Sequence, residues 1–369
     1  MLLKELFSQL SKQLDGELHI DDMLRSLYAT DASVYRKLPI AVALPKHEED
    51  IQKLVRFAGE HNVSLIPRGA GTSLAGQCVG DGIVVDTSKY MNQILHLDPD
   101  QGWVKVQPGV IRDELNEFLK PYGWFFGPNT STANRCNIGG MVGNNSCGST
   151  SIVYGSTRDH VTSLRTVLSD GNIATFQPLD TASFQKKKEG TRLENVLYQK
   201  IDHLHSECNT IDLIKIKYPK ASVSRRNTGY ALDALIQSEV YEDQNEPFNF
   251  CKLLCGSEWT LAFSTEITLN LVPLPKPHDV VIAAHFESIE DSLNASVLAL
   301  DHKPTACELM DKTILDWTQG HIEHQKNRFF FSGDPRAVLM IEFLEDSVSE
   351  AVDKANDLIE TLKASGLGY

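Results

Sequence analysis

Between two apolar runs, Val63-Ser-Leu-Ile66 and Gly82-Ile-Val-Val-Asp86, the chain reads Pro67-Arg-Gly-Ala-Gly-Thr-Ser-Leu-Ala-Gly-Gln77. Short apolar runs bounded by glycine predict buried strands. The glycines therefore fall on a bend at the carboxyl end of a strand, where open α/β sheets place ligands. Gly69, Gly71 and Gly76 permit positive φ and carry no Cβ, so successive backbone N–H groups can turn toward one anion. Thr72 and Ser73 add hydroxyl donors, and Arg68 adds charge. Two familiar phosphate loops do not fit. Counting from Gly69, Leu74 stands where a dinucleotide fingerprint needs its last glycine; counting from Gly71, Gln77 stands in place of the P-loop lysine. Taken alone, the stretch also reads as a glycine-rich turn without a ligand.

A second stretch, residues 127–160, is rich in small and polar residues, has no acidic or basic run and is flanked by apolar segments. Long irregular stretches inside compact domains are usually functional. The first loop is followed in order by Gln107-Pro-Gly-Val110, Gly127-Pro128, Asn137-Ile-Gly-Gly-Met-Val-Gly-Asn-Asn145, and Tyr154-Gly155 with Asp159-His160. Together these resemble the FAD-linked oxidases of the vanillyl-alcohol-oxidase type. The resemblance is greatest to the branch acting on D-2-hydroxyacids, the D-lactate, glycolate and D-2-hydroxyglutarate dehydrogenases, and runs from about Tyr35 to about Leu271.

The resemblance implies an α+β chain: a PCMH-type FAD-binding domain of two α+β subdomains, then an incomplete ferredoxin-like cap. It implies that Pro67, Arg68, Gly69, Ala70, Gly71, Thr72, Ser73 and Gln77 surround the FAD pyrophosphate. Pro108, Gly109, Pro128, Cys136, Asn137, Gly139, Gly140, Asn144, Gly148, Ser149 and Gly155 would line the rest of the cofactor. Relatives with covalent flavin carry a histidine after the glycines of the first loop, where this chain has Thr72, so non-covalent FAD is expected.

The 369 residues suffice for two domains, and 41% hydrophobic with 23% charged residues is ordinary for a soluble enzyme. A formal charge of -14 disfavours nucleic acid and anionic membranes as bulk partners, but not a small anion in a local basic pocket. Seven cysteines, an odd number without a secretory leader, argue for a reducing compartment and against a disulfide framework. The cytoplasm is expected, with peripheral membrane association left open. No apolar run approaches the eighteen residues of a membrane span.

Leu2, Leu6, Leu10 and Leu14 give residues 1–34 the spacing of a helical arm. Residues 35–273 form the expected FAD domain, opening with a strand at 40–45, a helix at 47–62 and a strand at 63–66, a β-α-β unit. A strand at 103–108, a helix at 110–119, a hairpin of 161–168 with 173–176, a helix over 193–216 and a strand at 265–271 follow. Val272-Pro-Leu-Pro-Lys-Pro277 is a semi-rigid linker, so 274–369 is the partial cap. Its pattern, β-α-β then β-α, lacks the last strand of a split βαβ layer, and a truncated carboxyl end is expected.

Oxidising a 2-hydroxyacid needs a cation for the carboxylate, a base for the hydroxyl proton and a hydride acceptor. Ser224-Arg-Arg-Asn-Thr-Gly-Tyr230 resembles the family's substrate segment, which assigns the carboxylate to Arg225 or Arg226 and a polar lining to Asn227, Thr228 and Tyr230. The plain alternative is an exposed basic helix start. The resemblance also places Glu258 at the site. The histidine and acidic cluster that relatives use lies beyond Tyr369, so no base is named and little turnover is expected of this chain alone. An iron–sulfur domain, carried by some relatives, would also lie there as one source of the unidentified electron acceptor. His203, His205, His321 and His324 read as surface residues and Cys251 with Cys255 as buried thiols, so no metal site is expected.

Trp259, in Gly256-Ser-Glu-Trp-Thr-Leu261, stands where relatives usually carry glycine. An indole there is expected to narrow or displace the pocket, so that Trp259→Gly would tighten FAD roughly five- to a hundredfold. This keeps open a flavin-free scaffold with a degenerate pocket. Another oxidoreductase on the same fold, a UDP-sugar reductase or alditol oxidase, is a further alternative.

Overall fold

The computed structural model describes residues 2–207, 209–220, 222–223, 225–227, 229–242 and 246–369. The chain divides into two compact units, Met1–Cys147 with Ser156–Pro273, and Gly148–Gly155 with Leu274–Tyr369.

The first unit begins with α1 (Leu2–Ser11), β1 (Glu17–His19) and α2 (Asp22–Leu27). Residues 1–34, expected as an arm, are built into this unit. Phe7, Leu10 and Leu14 pack with Ile51, Leu54 and Phe57, and β1 pairs antiparallel with β2 (Ala41–Leu44). α3 (Glu48–His61) opens on three acidic residues, which suit the positive end of its dipole, and closes on Asn62 in the left-handed conformation. β3 (Leu65–Arg68) and β4 (Ile83–Asp86) complete a sheet ordered β1-β2-β4-β3, with β2 and β3 both parallel to β4. The expected β-α-β unit is present, with β4 inserted between its strands. Ile83, Val84 and Val85 are wholly buried and take the centre, whereas Pro67, which has no N–H to donate, sits in an edge strand.

The second layer of this unit contains β5 (Ile94–Asp98), β6 (Trp103–Val106), α4 (Arg112–Leu119), β7 (Trp124–Phe125) and α5 (Ile138–Asn144). After α6 (Ser151–Tyr154), which belongs to the second unit, come α7 (Thr157–His160), β8 (Val161–Val167), β9 (Ile173–Phe176), α8 (Thr181–Lys187), α9 (Leu193–Ser206) and α10 (Thr210–Lys217). The helix expected over 193–216 is thus broken, with Asn209 left-handed at φ 71°. α11 (Leu232–Ile236), α12 (Cys251–Leu254), β10 (Phe263–Asn270) and β11 (Val272–Pro273) finish the unit. Its antiparallel sheet runs β5-β6-β10-β8-β9. Tyr198 of α9 packs edge-on against Phe184 and Phe250 in the larger core.

In the second unit β12 (His278–Phe286), α13 (Ile289–Asp301), β13 (Ala306–Asp311), α14 (Lys312–Gln319), α15 (Ile322–Gln325), β14 (Ala337–Glu345) and α16 (Val348–Ser365) give the expected order. β14 is central and antiparallel to both neighbours, and Ala295, Ala299, Leu358 and Leu362 of the two long helices cover Leu339, Ile341 and Phe343. Tyr369 exchanges both backbone hydrogen bonds with His285 on the edge of β12 away from β14. Among the described residues, no helix is long and apolar enough to cross a membrane.

Candidate functional site

The loop leaving β3 is anchored from behind by residues 28–32. Ala32 N–H donates to Gly71 O at 3.1 Å, and Ser73 Oγ donates to Asp31 Oδ2 at 2.6 Å. Burial opposes ionisation of Asp31, but bonds from Ser33 and Ser73 outweigh it and hold the carboxyl below its ordinary range. Arg68 lies 5.0 Å from the Tyr28 ring centroid and donates to Thr30 O at 2.8 Å. Tyr28 in turn donates to Asp86, and burial with that bond pushes its hydroxyl pKa up. With its back fastened this way, the loop leaves the N–H groups of Gly69, Ala70, Gly71, Thr72 and Ser73 without an acceptor among the described residues. Gly71 has φ 65°, which L side chains rarely adopt, so the bend calls for glycine; a Cβ there would also stand 2.5 Å from the Arg68 guanidinium, which would have to shift.

The facing wall is α5. Its N-cap, Asn137, is 3% exposed and donates through Nδ2 to Gly109 O at 2.7 Å, while Oδ1 has no partner. The Cys136 thiol, pushed up by burial, lies 3.3 Å from Thr130 Oγ1. At the other end of α5 the turn 256–260 supplies the donors that helical carbonyls lack: Gly256 N–H to Val142 O at 2.9 Å and Glu258 N–H to Gly143 O at 2.8 Å. The Trp259 indole runs along the same helix. Its Nε1 donates to Gly139 O at 2.8 Å, and it lies so close to Gly143 that a Cβ there would be 2.8 Å from the ring. The indole, which also lines the cleft, is held against α5 by this bond and by its packing over Gly143. Burial pushes the Glu258 carboxyl up, partly offset by a hydrogen bond with Gln77.

These elements enclose a cleft of about 600 Å³ within the first unit. Pro67, Arg68, Gly69, Ala70, Gly71, Thr72, Ser73, Gln77, Pro108, Cys136, Asn137, Gly139, Gly140, Asn144 and Glu258 line it. Gly109 and Pro128 stand behind the lining, the latter accepting from Arg112 Nε at 3.1 Å. Gly148, Ser149 and Gly155 belong to the second unit. Sequence reasoning missed Thr130, Ser131, Thr132 and Arg135, which also line the cleft. Three hydroxyls and a guanidinium just before Cys136 were the available signal.

The segment expected to hold substrate lies elsewhere. Arg226 Nη2 is 2.8 Å from Asp233 Oδ2, Asn227 Nδ2 donates to Asn144 O and Asn145 O, and the Tyr230 hydroxyl lies 2.6 Å from Thr260 Oγ1. Neither they nor the exposed Arg225 line the cleft. Thr228 falls outside the described residues.

His205 is not on the surface as expected. It is buried edge-on against Tyr241 at 4.4 Å, and burial lowers its pKa to about 4. His203, His321 and His324 are exposed, and Cys251 and Cys255 are buried, the latter thiol pushed up to about 12. Among the described residues Asp15, His47 and Asp50 bring ligand atoms together, but Asp50 is already occupied by the N–H groups of Asp15, Gly16 and Lys46.

Free N–H groups, an unpartnered buried Asn137 Oδ1 and two guanidinium groups on one cleft suit a pyrophosphate with a polar ring system, and so fit FAD. Residues 39–177 match the family model for the FAD binding domain, and residues 275–368 that for the C-terminal domain of FAD linked oxidases. The chain is 33% identical over 95% of its length to D-2-hydroxyglutarate dehydrogenase of Pseudomonas putida, and 36% identical over 87% to that of Pantoea ananatis. It spans only 34% and 31% of those proteins. Glycolate oxidase subunit GlcD of Bacillus subtilis is 27% identical over 99% of this chain and 64% of its own length. Among solved structures, p-cresol methylhydroxylase superposes with a TM-score of 0.66 at 13% identity, over 100% of this chain and 65% of its own, which shows the shared fold. The chain belongs to the FAD-linked oxidases, with the PCMH-type α+β fold and FAD as cofactor.

Proposed function

We propose that this chain is the FAD-carrying part of an enzyme that oxidises a D-2-hydroxyacid, such as D-2-hydroxyglutarate, D-lactate or glycolate, to the 2-oxoacid. When bound, FAD supplies the hydride acceptor, its N5. The chain's own residues would hold it without a covalent link. The N–H groups of Gly69–Ser73 supply donors to the pyrophosphate, Arg68 and Arg135 offset its charge, and Asn137 Oδ1 accepts from the cofactor. The observation that carries this reading is the run of N–H groups from Gly69 to Ser73 left without acceptors on a cleft that Gly71 alone can shape. Among the described residues Glu258 is the one member of the expected catalytic set on the cleft, and its raised carboxyl pKa suits it to exchange a proton with a bound molecule. The hydrogen bond of Trp259 to the Gly139 carbonyl of α5 supports a cleft that is built around the indole, against a flavin-free scaffold.

The test has two arms. The chain as purified should show a flavin absorbance spectrum, released by acid because the link is not covalent; a colourless chain that takes up no FAD refutes the cofactor site. The full-length gene product should reduce a dye with D-2-hydroxyacids. Turnover with alditols or sugars instead refutes the substrate class.

A further inference from the structure

The cleft wall formed by Glu258 and Trp259 is under strain. Both residues lie in the left-handed region, at φ 51° and φ 56°, and neither is glycine. Side chains there crowd the backbone, and such residues persist only where their surroundings over-determine them. Two groups outside the cleft grip this turn from different sides.

The first is Arg158 on α7. It is 8% exposed and has no carboxylate within ion-pair distance among the described residues. Its Nη2 donates to Cys255 O at 2.7 Å, just ahead of the turn, and its Nε is buried without a partner. Its own N–H donates to Asn145 Oδ1 at 2.8 Å, which ties the same residue to the end of α5. Burial lowers its pKa, partly offset by the nearby Cys255, Asp159 and Asp233.

The second is Tyr230. Thr260 Oγ1 donates to Ser257 O at 2.6 Å and lies 2.6 Å from the Tyr230 hydroxyl, so a hydrogen-bond chain runs from Tyr230 through Thr260 to Ser257 O across the strained turn. Asn227, three residues earlier, fastens the same segment to the carbonyls that end α5.

We infer that Arg158 and Tyr230 are positioning residues that hold the Gly256–Thr260 turn, and through it the Glu258–Trp259 wall of the cofactor cleft, in its left-handed conformation. Asn227 and Tyr230 thereby act on the cofactor side of the protein through the end of α5 and the turn. The inference rests on reading this cleft as the FAD site, and the two can fail separately.

The experiment uses the chain labelled with 5-fluorotryptophan, whose Trp259 resonance is assigned by Trp259→Phe. Fluorine spectra without added FAD report the turn, and a separate FAD titration reports the site. Tyr230→Phe and Thr260→Val should shift or broaden the Trp259 resonance alone, lower the melting temperature by no more than about 2–4 °C, and weaken FAD about three- to fivefold, as loss of one hydrogen bond would. Arg158→Met should move the same resonance further and weaken FAD more than tenfold, with partial rescue by Arg158→Lys, which keeps a donor for Cys255 O. If Arg158→Met does not fold, the two outer variants decide the matter. An unmoved Trp259 resonance in both overturns the inference, whatever happens to FAD. A wild-type chain that takes up no FAD while the resonance still moves in the variants refutes the cofactor reading and leaves the clamp standing.

Discussion

Replacing Trp259 by glycine removes three things and restores one. The Nε1 bond to Gly139 O is lost, about 1 kcal/mol for a neutral hydrogen bond. The indole's packing against Gly143 is lost; full truncation of a buried tryptophan costs about 3–5 kcal/mol, and half of that, about 2 kcal/mol, suits a side chain that is only partly covered. The unfolded chain gains the freedom of glycine, about 0.5–1 kcal/mol. Against these, relief of the left-handed strain returns about 1–2 kcal/mol. The balance is about 2 kcal/mol of destabilisation, which in a unit of this size lowers the melting temperature by roughly 4–8 °C. Because the indole is part of the cleft wall, FAD should bind at least about fivefold more weakly, against the tightening that the sequence alone suggests. Trp259→Phe, which keeps a ring and loses only the donor, should fall between. Differential scanning calorimetry and FAD fluorescence quenching on the three proteins measure both quantities. Tighter FAD binding with an unchanged melting temperature in the glycine form would show that the indole obstructs the cleft.

Gly71→Val should abolish FAD binding while the fold survives, because the β-branched side chain meets the Arg68 guanidinium and forbids φ 65°; unchanged flavin content would remove the loop from the site. Glu17 is held near pKa 2 by hydrogen bonds from Lys89, Tyr90 and His19. Its folded pKa is depressed, so its contribution is present above about 4.5 and fades as pH falls toward 2. Glu17→Gln should therefore lower the melting temperature clearly more at pH 6 than at pH 2.5, where most of the contribution has faded; a loss that is equal at both would mean that charge is not involved.

What was legible in the sequence was periodic or obligatory. Alternation and apolar runs located the central strands, and the glycines after Pro67 located a loop that lines the cleft. What was not legible depends on partners distant in sequence. Glu17-Leu-His19 is too short for a period and becomes a strand only because Ala41–Leu44 offers an edge. Arg226 and Tyr230 resemble substrate ligands as residue types, and their contacts with Asp233 and Thr260 could not be read from the sequence. His205 carries no local sign of burial; Tyr241 supplies it from thirty-six residues away. The contacts of Trp259 with the Gly139 carbonyl and with Gly143 were not legible either, because α5 lies more than a hundred residues earlier.

Glu258 gives the same wall a pH signature. Burial raises its carboxyl pKa above 4.5, with Gln77 pulling the other way. A group whose folded pKa is raised binds its proton more tightly in the native chain. Its contribution to stability is therefore complete below about 4.5 and is lost as pH rises through the folded value. Above that pH, folding carries a buried charge that only Gln77 partly compensates. Glu258→Gln removes the titration and keeps the shape, so the variant without FAD should melt higher than wild type at pH 7.5 and equal to it at pH 4. Bound FAD reverses the comparison if the carboxylate serves a proton-transfer role, because dye reduction by the full-length protein should then fall at least about a hundredfold in the glutamine form while FAD affinity holds. Melting curves that stay parallel from pH 4 to 7.5 would show that Glu258 is solvated in the folded chain. Undiminished dye reduction would leave Glu258 a wall residue, held like Trp259 by the turn and taking no part in the chemistry.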